Sequence, residues 1–216
     1  MKKGLVKQSF PFHEAYTGVD KTGKRCVGAA IIRKLKGLNL EKFPDFSLVR
    51  DMFLFSIYTR GMSFIDMVFL RKHDIRDGEI SYIRKKTKCL MRVKVEEDIR
   101  EILKKYYRLY PESGFVFPIL RGEDRCENYR EYQRALSRYN YGLKKLSAMI
   151  GVDRSLTSYV ARHTWASMAY KMEIPVSVIS CGMGHKTEAV TRIYLDSLEN
   201  SVIDRANRRI LRSLKN

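Results

Sequence analysis

Three groups near the C-terminus have the residue types and spacing for one kind of chemistry. Arg162-His163-Thr164-Trp165-Ala166 is followed, twenty residues after Arg162, by Gly182-Met183-Gly184-His185, and Tyr194 stands nine residues beyond His185. Breaking a phosphodiester without a metal needs a hydroxyl nucleophile that stays attached to phosphorus. It also needs cationic donors for the non-bridging oxygens and a general acid for the leaving 5′ oxygen. Tyrosine suits the first role, because a phosphotyrosyl ester keeps the bond energy for the reverse attack. Arginine suits the second, since its planar fork stays charged and grips two oxygens. Lysine or histidine suits the third.

The rest of the chain must hold these groups against a polyanion. There are 42 Lys plus Arg against 24 Asp plus Glu, a formal charge of +18 over 216 residues. A field of that sign favours nucleic acid, although a ribosomal-type or membrane-surface protein has the same balance. No apolar run reaches the roughly 18 residues of a membrane-crossing helix. The opening MKKGLVKQSFPFHEAY has no apolar stretch after its lysines, so it does not read as a secretory signal. Cys26, Cys89, Cys126 and Cys181 form no CxxC pair and have no zinc-finger spacing. They read as reduced, mostly buried cysteines of a cytoplasmic protein.

Apolar periodicity places the supporting elements. Ala29–Leu38 predicts a short helix stopping near Gly37. Pro44-Asp45 opens a second, with Leu48, Val49, Met52, Phe53, Phe55 and Ile57 on one broad face. Gly61 separates it from the apolar set Phe64, Ile65, Met67, Val68 and Leu70. After Asp77-Gly78, Ile80, Tyr82, Leu90, Arg92, Val93 and Val95 alternate loosely around RKKTK, which predicts a hairpin or small three-stranded sheet with a basic tip. A helix follows from Val95, with Ile99, Ile102, Leu103 and Tyr106 on one face. Residues 110–126 read as loop, 127–150 as helix, and Thr157–Met172 as the helix carrying Arg162. Pro175 starts a short helix, CGMGH reads as a tight turn, and residues 187–195 form a short element. The class expected is α+β: a mainly helical single domain with a small antiparallel sheet. Residues 1–40 form a lead-in segment, and 196–216 an amphipathic tail helix with Val202, Ile203, Ala206, Ile210 and Leu211 as its stripe.

The order Arg-His-Thr-aromatic-Ala, then Gly-His, then Tyr nine residues later resembles the signature of the tyrosine recombinase, or phage integrase, family. The likeness spans roughly residues 45–200. It implies the family's catalytic-domain fold, with Arg162 as the second catalytic arginine, His185 as the later histidine, and Tyr194 as the nucleophile that forms a 3′-phosphotyrosyl link. The family usually has histidine three residues before that arginine, where this chain has Tyr159. A phenol still donates to a phosphate oxygen but carries no positive charge; plain packing is its other reading. His163 points about 100° away from Arg162 along a helix and does not replace it. The family's catalytic lysine sits at a hairpin tip, often before Thr or Gly. Lys86 in Arg84-Lys85-Lys86-Thr87-Lys88 fits that place as general acid, with Arg84, Lys85 and Lys88 as DNA-backbone contacts.

The first arginine is ambiguous. The family motif resembles Thr-Gly-x-Arg before an acid, whereas this chain reads Tyr58-Thr59-Arg60-Gly61-Met62-Ser63-Phe64-Ile65-Asp66-Met67. Counting back from Asp66 puts Ser63 in the slot; counting from Thr59 allows Arg60, which is preferred. In a helix the two would share a face. Asp66 is expected to buttress the arginines. YTRGMSFIDM resembles integrases of Bacteroides-type mobile elements.

The resemblance further implies double-stranded DNA as partner, a homo-tetramer on DNA with a monomer possible when free, and no metal or cofactor. The N-terminal core-binding domain that family members carry is expected to be absent. The tail helix is expected to dock on a neighbouring protomer or on its own domain. Two other functions are compatible with the same residues: a non-catalytic DNA-binding regulator on this scaffold, disabled at Tyr159 and the first arginine, and a type IB topoisomerase.

Overall fold

In the computed structural model the described residues are 26–120, 125–195, 207–208 and 210–214, the side chains of 125–128, 193 and 194 excepted. The elements run α1 (Ala29–Lys36), α2 (Pro44–Tyr58), α3 (Phe64–Val68), a 3₁₀ turn (Lys72–Asp74), β1 (Ile75–Arg76), β2 (Glu79–Ile83), β3 (Leu90–Lys94), α4 (Glu97–Leu109), α5 (Arg125–Met149), α6 (Ser158–Lys171), α7 (Val176–Gly182) and α8 (Glu188–Leu195). The mainly helical class with one small sheet is what the periodicity predicts.

The helix α2 is the hub. Pro44 occupies its first turn, where a missing N–H leaves no hydrogen bond unmade. Every residue from Asp51 to Ile57 is buried, and a helix apolar on all sides belongs in the middle of a domain. Accordingly α1, α3, α4, α5 and α6 all pack against it. Asp51 is the one charge in that run. It accepts hydrogen bonds from its neighbour Arg50 Nε (2.9 Å) and, tying α2 to α4, from Lys105 Nζ (2.6 Å) and the Tyr106 hydroxyl (3.0 Å). The segment 110–120 has no regular element, yet Phe115, Val116 and Phe117 are buried. Phe117 meets Phe55 edge-on at 5.1 Å and Tyr106 at 5.3 Å. A loop by composition thus supplies core, because its apolar run is too short to show a period.

The end of α2 turns sharply. Thr59 N–H bonds Phe55 O and Gly61 N–H bonds Ser56 O, while Arg60 and Gly61 have φ of 60° and 76°. This closes the helix in the left-handed manner usual at C-termini. Residues 59–63 are therefore a turn, and the helical face expected to unite Arg60 with Ser63 does not exist. A Cβ on Gly61 would stand 2.9 Å from both Cα and Cγ of Arg162, so glycine lets α6 lie against the turn. Gly61→Ala is expected to lose about 2–4 kcal/mol, combining a left-handed backbone with overpacking. Thermal denaturation would show this as a drop of roughly 4–16 °C.

The sheet is antiparallel in the order β1-β2-β3, with Ile80 opposite Val93, Tyr82 opposite Met91 and Ile83 opposite Leu90. Asp77 and Gly78 both have positive φ, as a tight hairpin turn requires. Ile80, Tyr82, Met91 and Val93 face inward. The same alternation carries past the end of β2 and turns Arg84 inward, where it is only 4% exposed. A second, smaller apolar cluster holds Ala166, Ala169, Ile179, Met183 and Leu195, with Trp165 against it. It seats α7 and α8 on α6.

Some sequence expectations shift. Cys26 and Cys89 are half-buried and Cys181 is exposed, so these three are not the buried cysteines expected; the side chain of Cys126 lies outside the described residues. In the tail, 207–208 and 210–213 are helical and Ile210 and Leu211 are exposed; Val202, Ile203 and Ala206 lie outside the described residues. No described helix is long and apolar enough to cross a membrane.

Candidate active site

Arg162 is the centre. It sits one and a half turns into α6, is 3% exposed, and reaches into the gap between two turns. Its Nη1 donates to Gly61 O at 2.6 Å, and its Nη2 donates to Met183 O at 2.6 Å. The same Nη2 lies 2.9 Å from His185 Nε2. The guanidinium therefore bridges the end of α2 to the turn after α7. At the α2 end the approach depends on Gly61, left-handed at φ 76°, whose missing Cβ leaves room for Arg162; Gly184, at φ 63°, leaves room for Met91 and Arg84 instead.

The protons of His185 follow from its partners. A guanidinium only donates, so Nε2 accepts from Arg162. Nδ1 then carries the hydrogen and donates to the Thr191 hydroxyl at 2.8 Å. The ring is neutral. Burial, and then the positive charges of Arg162, Arg84 and Lys86, hold its pKa down to about 3. An unfolded histidine titrates near 6.5, so on acidification the unfolded chain takes up this proton first. The stability due to neutral His185 is present above pH 6.5 and is lost as pH falls towards 3. A His185→Gln variant is expected to lose melting temperature less steeply than the parent between pH 6.5 and 4. Parallel melting curves would contradict the neutral assignment.

The hairpin tip closes the other side. Arg84 Nη1 donates to Gly184 O at 2.7 Å, and the Thr87 hydroxyl donates to the same oxygen at 3.0 Å. A Cβ on Gly184 would stand 2.5 Å from Met91 Sδ, so the turn lies flush on the sheet. Arg84, expected as a contact to the DNA backbone at an exposed tip, is instead a buried clamp on the residue before His185. Strand alternation is the reason. Lys86 is exposed at the tip, and so are Lys85 and Lys88. Lys85 Nζ also stands 4.6 Å over the Phe69 ring.

Asp66 is 4% exposed. It accepts the Ser63 hydroxyl at 2.5 Å and the Lys85 backbone N–H at 2.8 Å. It thus fastens the hairpin tip to α3, and the expectation that it buttresses the arginines gives way to this role. Ser63 is the residue capping α3, and its hydroxyl is directed to Asp66. Arg60 passes beside Gly182, its Cδ 3.7 Å from where a Cβ there would be. The Tyr82 phenol, pushed up chiefly by burial, lies in the combined field of Asp66, Arg162, Arg84 and Arg60. Three guanidiniums therefore gather around the α7–α8 turn. Tyr159 is 39% exposed at the start of α6, with its ring 5.6 Å from that of His163.

Tyr194 lies on α8, and its side chain is outside the described residues. Its neighbours show how the helix is seated: Thr191 and Leu195 are buried, while 188–190 and 192 are exposed. Among the described residues no group of three or more His, Cys, Asp or Glu gathers as metal ligands would.

Sequence comparison supplies the kinship. The phage integrase family profile matches residues 41–201. This chain belongs to the phage integrase family. No curated protein matches the chain. Among solved structures, XerA recombinase superposes with a TM-score of 0.62 at 15% identity, covering 85% of this chain and 64% of that one. Lambda integrase residues 75–356, as a dimer bound to a COC′ core site, gives 0.57 at 18% identity, covering 86% and 65%. The catalytic domain of bacteriophage HP1 integrase gives 0.51 at 17% identity, covering 84% and 93%. This chain thus spans less than two thirds of the first two. The family and the fold of mostly helical layers with a three-stranded sheet are those of tyrosine recombinase catalytic domains.

Sequence reading missed one feature of the surface. Arg130, Arg134 and Arg138 on α5 are all exposed at four-residue spacing, with Tyr141 and Lys145 continuing the stripe. The spacing is visible in the sequence; its exposure depended on which face of α5 meets α2.

Proposed function

We propose that the chain is the strand-cleaving part of a site-specific DNA recombinase. Tyr194 attacks a DNA phosphate, its oxygen forms a 3′-phosphotyrosyl ester, and the 5′ oxygen leaves as a hydroxyl. A second strand's 5′ hydroxyl reverses the step and joins the ends. The observation that carries this reading is the pairing of Arg162 with a neutral His185 at 2.9 Å, ringed by further cations. Like charges held together in a partly dry site are costly until an anion arrives. A phosphate supplies that anion.

Each residue then has a task. Arg162 donates to non-bridging oxygens, and Arg84 with Arg60 adds positive charge around it. When phosphate draws the Arg162 donor, His185 Nε2 is released to accept the phenol proton of Tyr194. Lys86, exposed on the tip that Asp66 anchors, protonates the leaving 5′ oxygen in this reading. Tyr159, exposed one turn before Arg162, contributes at most a neutral hydrogen bond, so positive charge at that position is not part of the design. The stripe on α5 and the lysines of the tip contact the DNA backbone. Dimer and tetramer structures are known for lambda integrase on DNA; we propose that this chain assembles likewise, with its tail helix on a neighbouring protomer, and that it serves a mobile element.

The test uses a pool of nicked duplexes with randomised sequence around the nick, since a nick releases the short strand and traps the covalent state. A protein–DNA adduct on a denaturing gel is expected. Binding without an adduct would favour the non-catalytic regulator. Site-independent relaxation of supercoiled plasmid would favour the topoisomerase.

A further inference from the structure

Thr191 has no place in the chemistry above, yet its position is specific. Its side chain is fully buried, on a helix whose described side chains otherwise face solvent except for Leu195. Its Oγ1 stands 2.8 Å from His185 Nδ1, and it precedes the nucleophile by three residues, one helical turn. The hydroxyl therefore joins the helix that carries Tyr194 to the cradle that receives the phosphate. The described charged groups that act on His185 include Arg162 from α6, and Arg84 and Lys86 from the hairpin, all cationic. None of them accepts a proton. On the Nδ1 side the Thr191 hydroxyl oxygen does.

We propose that Thr191 is a positioning residue that couples the seating of α8 to the state of His185. With α8 seated, the threonine oxygen accepts the Nδ1 hydrogen, which forces Nε2 to face the cradle as an acceptor. With α8 lifted, Nδ1 loses that partner, and the imidazole turns or changes tautomer. Nε2 is then no longer held as the acceptor. The base is thus assembled only when the nucleophile's own helix is in place, which keeps an empty cradle from activating another hydroxyl or water. The proposal rests on the functional reading above for its consequence, but not for the Thr191–His185 link itself.

Two substitutions separate the hydroxyl from the volume it fills. Thr191→Val keeps the shape and removes the acceptor; Thr191→Ser keeps the acceptor. In long-range ¹H–¹⁵N spectra of the DNA-free protein, the parent and Thr191→Ser are expected to show His185 in the Nδ1–H form alone. Thr191→Val is expected to show a mixture or the Nε2–H form. In single-turnover cleavage of a duplex selected from the randomised nicked pool, Thr191→Val is expected to fall about 10- to 100-fold in rate. Its DNA affinity should be unchanged, and Thr191→Ser should recover most of the rate. An unchanged tautomer in Thr191→Val overturns the link. So does a Thr191→Ser protein as slow as Thr191→Val, since that would be a packing effect. If the parent forms no adduct with any DNA in the pool, the functional reading fails, and the tautomer measurement still decides whether Thr191 sets the state of His185.

Discussion

Tyr194→Phe is expected to bind DNA as the parent does and to form no covalent adduct with it. The substitution removes one oxygen from a ring on α8 and leaves Thr191 and Leu195, which seat that helix, untouched. Folding and phosphate contacts therefore persist, and the salt dependence of binding, set by the number of phosphates neutralised, should keep its slope. In the proposed mechanism the chemistry cannot persist, because the phenol oxygen that forms the ester is gone. Loss of a nucleophile from a concerted group lowers the rate on the order of 10⁴-fold or more, which on a gel is no adduct. An adduct of undiminished yield would assign the nucleophile elsewhere among the 13 tyrosines. Peptide mapping of the DNA-linked fragment would then find it.

Arg162→Lys is expected to be the most damaging conservative change. Lysine keeps the charge but has one ammonium where the guanidinium has a fork. It cannot reach Gly61 O and Met183 O together while still donating towards His185, as Arg162 does at 2.6, 2.6 and 2.9 Å. Losing a preorganised donor of this kind costs about 10²–10³ in rate. A second effect follows from burial. At least one carbonyl is left without its donor, at about 1–3 kcal/mol. Arg162→Lys should therefore melt lower as well as cleave slower, and Arg162→Ala should do both more severely. Single-turnover cleavage and thermal melting of the same samples would show it. Parent-like cleavage by Arg162→Lys would mean that charge alone matters and that the fork does not.

The two substitutions test different layers of the site, and those layers were not equally legible. Arg162 and Gly184-His185, which the fold brings together, could be read directly, because each depends on local structure. A helix aims Arg162, a left-handed glycine aims His185, and a short helix carries Tyr194 at a spacing that residues 185–194 determine by themselves. The helices α2, α4 and α6 were legible for the same reason, since a 3.6-residue period is written in the sequence. The hairpin was legible from Asp77-Gly78 and its alternation.

What only the tertiary structure decided lies where distant segments meet. Arg84 looked like one more cation on a basic tip. It is a clamp because the sheet packs its inward face on a turn 100 residues away, at Gly184. Asp66 looked like a partner for arginines. It holds Lys85 N–H because α3 packs beside the hairpin tip. The choice between Arg60 and Ser63 could not be made from spacing, since the left-handed turn at Arg60-Gly61 breaks the helical register on which any count depends. A pattern reports a residue's conformation and the face it lies on. Which charges share one dry pocket is set by how faces dock, and docking is a property of the whole core.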